Sequence, residues 1–239
     1  MGGVSLEGRF QRMIVATGAS GGVGQALLPH LLSLDDVVGL YSRCQDLPDH
    51  GPRLRYERVQ LDSEEAIGDL IDRTREDLSR ITLVHFAAQS IDRLAMQIDV
   101  EDWDRVLRVN LTGDFLLTQA LLPLMVQEKW GRIIHVSSVV GERGKPGTAA
   151  YSAAKSGLRG LSRVLAKEYA RYNITSNVLI LGYLNVGLID TLDETAREEA
   201  LEQIPSGKFG DVGSVGHAVD FLIKSDYVNG AEIHVDGGI

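Results

Sequence analysis

Three side chains suited to proton chemistry fall in one stretch of the sequence: Ser138, Tyr151 and Lys155, the last two four residues apart. On a helix that spacing puts both on one face, so an ammonium can sit close enough to a phenol to alter its acidity. Tyrosine titrates near pH ~10, so acid/base work near neutrality needs a value roughly 3 pH units lower, worth about 4 kcal/mol. A unit charge about 4 Å away at an effective dielectric of about 20 supplies around 4 kcal/mol, and a cationic cofactor ring nearby adds to it. The pair alone is weak evidence, because seven Tyr and six Lys in 239 residues give Tyr-x-x-x-Lys by chance about 0.2 times. A solvated helix pair has the same spacing. Its setting carries the weight: the pair opens a helical stretch and follows, across a short Gly-rich loop, an apolar strand ending in Ser137-Ser138.

Such residues need strands to present them. Short β-rich apolar runs alternate with helical patterns from end to end, which predicts a Rossmann-type, doubly wound parallel sheet of about seven strands with helices on both faces. Strands are expected at 12–17, 37–41, 54–60, 81–86, 132–137, 175–180 and 232–235, and helices at 22–34, 63–79, 100–127, 148–172, 193–203 and 213–224. Sheets of this type bind ligands at the carboxyl ends of their strands.

No linker or repeat divides the chain, so one dinucleotide-binding and catalytic domain over 1–239 is expected. A net charge of −9 disfavours nucleic acid or an anionic membrane as partner, although a local basic patch can still receive an acidic one. The single cysteine, Cys44, excludes an internal disulfide framework and fits a reducing compartment, the cytoplasm being the simplest. No apolar run is read as approaching the roughly 20 residues of a membrane span, and the start Met-Gly-Gly-Val-Ser lacks a signal-peptide pattern. The six histidines show no metal-ligand spacing, so no metal is expected.

The first strand runs into Thr17-Gly-Ala-Ser-Gly-Gly-Val-Gly24 and then an apolar helix. Glycines there let the backbone approach a pyrophosphate, and the helix N-terminus supplies N–H donors, so Gly18, Ser20, Gly21, Gly22, Val23 and Gly24 are candidate cofactor contacts. After the second strand no acid stands where one would accept a ribose hydroxyl; Arg43 offers a planar cation for a 2′-phosphate, favouring NADP(H) over NAD(H). The alternative for Arg43 is a solvated loop charge. Asp62, after the third strand, is placed either to accept from an adenine amino group or to cap the following helix.

With the Gly loop, Asn110, Ser138 and Tyr151-Ser-Ala-Ala-Lys155 in this order, the chain resembles the short-chain dehydrogenase/reductase family over nearly its full length, and within it the 3-oxoacyl-(acyl carrier protein) reductases most. The resemblance implies Tyr151 as general acid to a carbonyl oxygen, Ser138 as hydrogen-bond donor to the same oxygen, and Lys155 lowering the Tyr151 pKa and holding the nicotinamide ribose. It implies that Asn110 interrupts its helix and positions a water relaying protons to Lys155, while Ser137 is a structural hydroxyl. Ala87, Gly182 and Leu184 are the further cofactor contacts it implies, and Lys129 and Arg171 the basic rim for an acidic carrier.

Three departures stand out. Gly21 occupies a position where many NADP-dependent relatives carry Arg or Lys. The usual Asn-Asn-Ala-Gly after the fourth strand is His85-Phe-Ala-Ala88, with His85 read as a packed or loop-capping residue. The segment Leu181-Gly-Tyr-Leu-Asn-Val186 replaces a familiar Pro-Gly and Ile-x-Thr, and with 187–195 it is read as a substrate lid.

The reading that follows is an NADPH-dependent ketoreductase of 3-oxoacyl groups carried on acyl carrier protein or coenzyme A. A dehydrogenase of another secondary alcohol, sugar or cyclic ketone is the alternative, and a non-catalytic cofactor-binding protein a further one. The two long helices are apolar beyond one stripe, which points to a homotetramer.

Overall fold

A computed structural model describes residues 12–43, 47–187, 189 and 193–239, so Cys44 and part of the expected lid lie outside the described residues. Seven strands pair in parallel in the order β3-β2-β1-β4-β5-β6-β7. They are β1 (Met13–Thr17), β2 (Asp36–Tyr41), β3 (Leu54–Arg58), β4 (Ile81–His85), β5 (Gly131–Ser138), β6 (Ile174–Leu181) and β7 (Glu232–Val235). The helices are α1 (Gly22–Leu34), α2 (Glu64–Thr74), α3 (Val100–Leu107), α4 (Gly113–Glu128), α5 (Val139–Arg143), α6 (Ala149–Tyr169), α7 (Glu194–Glu202) and α8 (Val212–Lys224).

The two faces of the sheet are covered by different helices, as alternation along buried strands requires. Ile14, Ala16, Val84, Ile134 and Val136 meet α1 and α8 through Leu27, Leu28, Leu31, Val215 and Val219. Val15, Leu83 and Ile133 meet α2, α4 and α6 through Ile67, Leu117, Leu121 and Leu165. The chain winds one way through β1, β2 and β3, then returns to place β4 on the other side of β1. That reversal opens a crevice at the carboxyl ends of β1 and β4, the usual ligand position in such sheets.

The long middle helix is interrupted at Asn110, as the resemblance implies, by a π turn over Arg108–Thr112 between α3 and α4. Two other expectations about elements need correction. The loop expected after β5 instead begins with the one-turn helix α5. Val100–Glu128 does pass for a membrane span by length and composition, with an 18-residue window of mean hydropathy 1.3. Half of that window is buried within the fold, where Leu117, Leu121 and Met125 are fully enclosed.

Candidate active site

The loop 18–21 lies where three backbones crowd together. Gly18 has φ +67°, and a Cβ on it would come within 2.7 Å of the Ala87 nitrogen. A Cβ on Gly22 would come within 2.6 Å of Gly187 Cα, and one on Gly24 within 2.2 Å of the Gly18 oxygen. Only glycine fits these positions. Gly21 caps α1 without a side chain, leaving the first-turn N–H groups of Gly22, Val23 and Gly24 to face outward at the positive end of the helix. Ala87 N donates to Thr17 Oγ1 at 3.0 Å, tying β4 to β1 across the crevice. The chemistry of this cradle, main-chain donors with no side-chain bulk, fits the diphosphate of a dinucleotide.

At the carboxyl end of β2, Arg43 is exposed, and Arg58 Nε at the end of β3 donates to the Ser42 carbonyl at 3.3 Å. Arg58 was missed in the sequence, although its place at a strand end beside Ser42 brings a second cation to this corner. The helix-capping role open to Asp62 is taken by Ser63, whose Oγ accepts from Ala66 N at 3.2 Å; Asp62 is exposed beside it.

β5 ends at Ser138, which caps α5 by accepting from Val140 N at 3.2 Å, and this leaves its own proton free to donate. Tyr151 enters on the first turn of α6, close enough to Ser138 for that hydroxyl to act on its acidity, with Lys155 Nζ 5.7 Å from its ring centroid. The structure thus brings Ser138, Tyr151 and Lys155 together. Ser137, on the opposite side of the strand, donates to the Lys155 main-chain carbonyl at 3.0 Å, the structural role expected of it. Asn110 sits in the π turn, completely buried, accepting from Gln89 N and donating to Gln89 O and Val106 O. Its side chain anchors the loop after β4.

The acidity expected of Tyr151 is reversed in the protein alone. Burial pushes the phenol up to about 12, the Asp92 charge acts the same way, and the Ser138 hydrogen bond opposes both. The ammonium behind it is committed elsewhere: Lys155 Nζ donates to the Val136 carbonyl at 2.8 Å, and burial lowers its own pKa against the opposing charge of Asp114.

His85 is packed rather than loop-capping, and it is not alone. It is the register partner of His135 on β5; both rings and the Asp114 carboxylate on α4 are completely buried and adjacent. His85 Nε2 meets Thr118 Oγ1 at 3.0 Å. Burial by itself would raise the Asp114 carboxyl, but His85, His135 and Lys155 outweigh it and hold the group down to about 2. No sequence spacing announces this cluster, since its members come from three elements. The signal available was an acid within a long apolar helix and a histidine in each of two buried strands.

Other candidates divide by position. Gly182 and Leu184 follow β6 at the carboxyl end; Gly182 N donates to Val235 O at 3.0 Å, and the Leu184 side chain is buried in the core, so only its main chain faces the crevice region. Lys129 and Arg171 lie at the wrong end. They follow the C-termini of α4 and α6, which run antiparallel to the strands, so both residues sit at the amino ends of β5 and β6. Within one chain they cannot form the rim of a site built on Ser138 and Tyr151. An open cleft of about 640 Å³ lies where the loop after β4 meets the segment before α6, lined by Asp92, Arg93, Leu94, Gln97 and Gly147.

Comparison with known proteins agrees with this geometry. A family model described as enoyl-(acyl carrier protein) reductase matches residues 40–239. Nodulation protein G of Rhizobium sp. (strain N33) is 36% identical over 236 residues, 95% of this chain and 96% of that protein. The 3-oxoacyl-(acyl-carrier-protein) reductase FabG of Aquifex aeolicus (strain VF5) is 34% identical, covering 99% of each chain, and that of Thermotoga maritima is 33% identical, covering 98% of each.

Proposed function

The chain belongs to the short-chain dehydrogenase/reductase family, as an NAD(P)-dependent oxidoreductase acting on alcohol and carbonyl groups and most similar to 3-oxoacyl reductases, and from that premise we propose that it is an NADPH-dependent reductase of 3-oxoacyl thioesters, working as one catalytic domain. The observation that carries the reading is the meeting of Ser138, Tyr151 and Lys155 beside the diphosphate cradle.

A bound nicotinamide cofactor supplies the hydride. The remaining work falls to side chains. With its pKa pushed up to about 12, Tyr151 is fully protonated at neutral pH, the form able to give a proton to a carbonyl oxygen. Ser138, its lone pair engaged by Val140 N, donates its proton to the same oxygen and stabilises the charge developing there. Lys155 stands behind the phenol and holds the ribose side of the cofactor. Because the Asn110 side chain is spent on Gln89 and Val106, a water delivering protons toward Lys155 is held by main chain of the π turn. Gly18, Ser20 to Gly24, Ala87, Gly182 and Leu184 line the cofactor, with Asp62 toward the adenine. Arg43 with Arg58 supports NADPH, two guanidinium groups at one strand-end corner matching a 2′-phosphate.

Coenzyme A or a carrier protein meets Arg93, Arg143 and Lys145, exposed cations after β4 and β5, rather than Lys129 and Arg171 of the same chain. Asp92 in the cleft favours a second reading, a dehydrogenase of a neutral secondary alcohol, sugar or cyclic ketone, since an acid there repels an acidic carrier. Phe115 on α4 and Val164 on α6, about half exposed, fit faces covered in a homotetramer, which light scattering checks against four times 26.1 kDa.

NADPH oxidation with acetoacetyl thioesters, set against a panel of simple ketones and alcohols, tests the substrate; inactivity on every thioester refutes it. Tyr151→Phe is expected to lose about 10²–10⁴-fold in kcat while still binding NADPH. Retention of the full rate by that variant would remove Tyr151 from the mechanism.

A further inference from the structure

Beneath the reacting groups lies the His85–Asp114–His135 cluster, which the steps above do not use. His85 Nδ1 is 3.2 Å from Asp114 Oδ1 and His135 Nδ1 is 3.6 Å from Oδ2, all three side chains being completely buried. Three side chains of ligand type at such distances suggest a metal ion, yet the rings oppose one. A metal bound through an imidazole nitrogen lies in the plane of that ring. Here the two rings stack with centroids 5.1 Å apart and planes 4° apart, as register partners on neighbouring strands must when both face the same helix. Parallel planes set apart by a strand spacing share no point for a common ion. A carboxylate is placed differently, one oxygen near each Nδ1 at distances close enough for charge, although neither contact has hydrogen-bond geometry.

Asp114 and Lys155 share one buried compartment. Asp114 follows Asn110 by one helical turn, and α6 packs against the π turn that carries Asn110. His135 faces the same side of β5 as Ser137, whose hydroxyl holds the Lys155 carbonyl. The next residue after His135, Val136, receives the Lys155 ammonium at its own carbonyl. Across this compartment the lysine favours the carboxylate, and Asp114 is the group that offsets the burial of the lysine.

We propose that Asp114, set between His85 and His135, is the buried counter-charge that keeps Lys155 an ammonium, a positioning residue that acts on the reaction only through Lys155. The proposal rests on the reading of Lys155 as the residue behind Tyr151. The titratable groups facing the pair are His85 from β4, His135 from β5 and Tyr151 from α6; Asp92, after β4, acts on Tyr151. Removing the carboxylate takes away what opposes burial, so Lys155 gives up its proton at lower pH. The alkaline limb of kcat/KM then moves acidward, where a merely structural defect lowers activity equally at every pH.

Protein labelled with carbon-13 at lysine Cε reports the charge of Lys155 directly by NMR titration, with Lys155→Arg assigning the resonance. In the intact protein Lys155 is expected to stay charged through neutral pH, and Asp114→Asn to move its midpoint acidward by about one pH unit or more. Should Asp114→Asn fail to fold, Asp114→Ser removes the same charge with a smaller polar group and gives the same direction. An unmoved midpoint in a folded variant, or a Lys155 already neutral at pH 7 in the intact protein, overturns the proposal. The resonance is read without substrate, so a midpoint that moves in a protein turning over no carbonyl compound refutes the reductase reading and not this one.

Discussion

Helix α6 carries two charge networks along one face, the first deep in the fold and the second toward its rim, and water separates their character. Inward, Lys155 is 2% exposed and shares its compartment with Asp114, His85 and His135. Outward, one and two turns on, Arg159 and Arg163 both reach Glu232 at 2.6 Å, and Arg159 also reaches Glu142 at 3.3 Å. The hydrogen bond from Arg159 holds the Glu232 carboxyl below its usual range, but the Arg163 side chain is 59% exposed and solvent screens the group. In the inner network each member depends on the others, because none has water to fall back on. In the outer one each member is replaceable.

That contrast can be broken at its strong end first. Asp114→Ala leaves two buried imidazoles and an ammonium without their anion, and is expected to cost about 3–5 kcal/mol in urea unfolding. A loss below about 1 kcal/mol would make the inner network equivalent to the outer. Acid gives the next largest effect. The Asp114 carboxyl lies near 2 in the folded protein against a usual 3.8, so its contribution of about 2 kcal/mol is complete above the unfolded value and is lost as pH falls through the folded one. Between pH ~4 and ~2, Asp114→Asn should therefore show a shallower loss of stability than the parent. The smallest effect belongs outside: Glu232→Gln should cost at most about 1 kcal/mol, and less still in high salt, where the Debye length shortens.

Much of the scaffold could be read from residue pattern. The glycine loop, the apolar run from Gly22 to Leu34 and the β-rich stretches lie where the structure has α1 and the seven strands, because central strands buried on both faces read as continuous apolar runs. Ser138, Tyr151 and Lys155 were legible for a different reason: two share a helix turn and the third ends the preceding strand. What pattern could not show was environment. The direction of the Tyr151 pKa depends on how deeply the phenol is buried and where the Lys155 ammonium is spent. Within one chain Lys129 and Arg171 fall at the amino ends of β5 and β6, because α4 and α6 run antiparallel to the strands. One-turn α5 carries too few residues for any period to register, and only Ser138 acting as its cap reveals it.

The pairing of His85 with His135 also bears on how the chain finds its fold. β4 and β5 are joined by the long excursion through α3 and α4, so their alignment has no hairpin to set it. Sliding one strand by a single residue would turn one imidazole to the opposite face, among Leu27, Leu28 and Val215, and leave Asp114 facing Val84 or Ile134. Apolar strands alone tolerate such a slip. A carboxylate set against both rings does not, so the polar cluster acts as an alignment mark for β4 against β5.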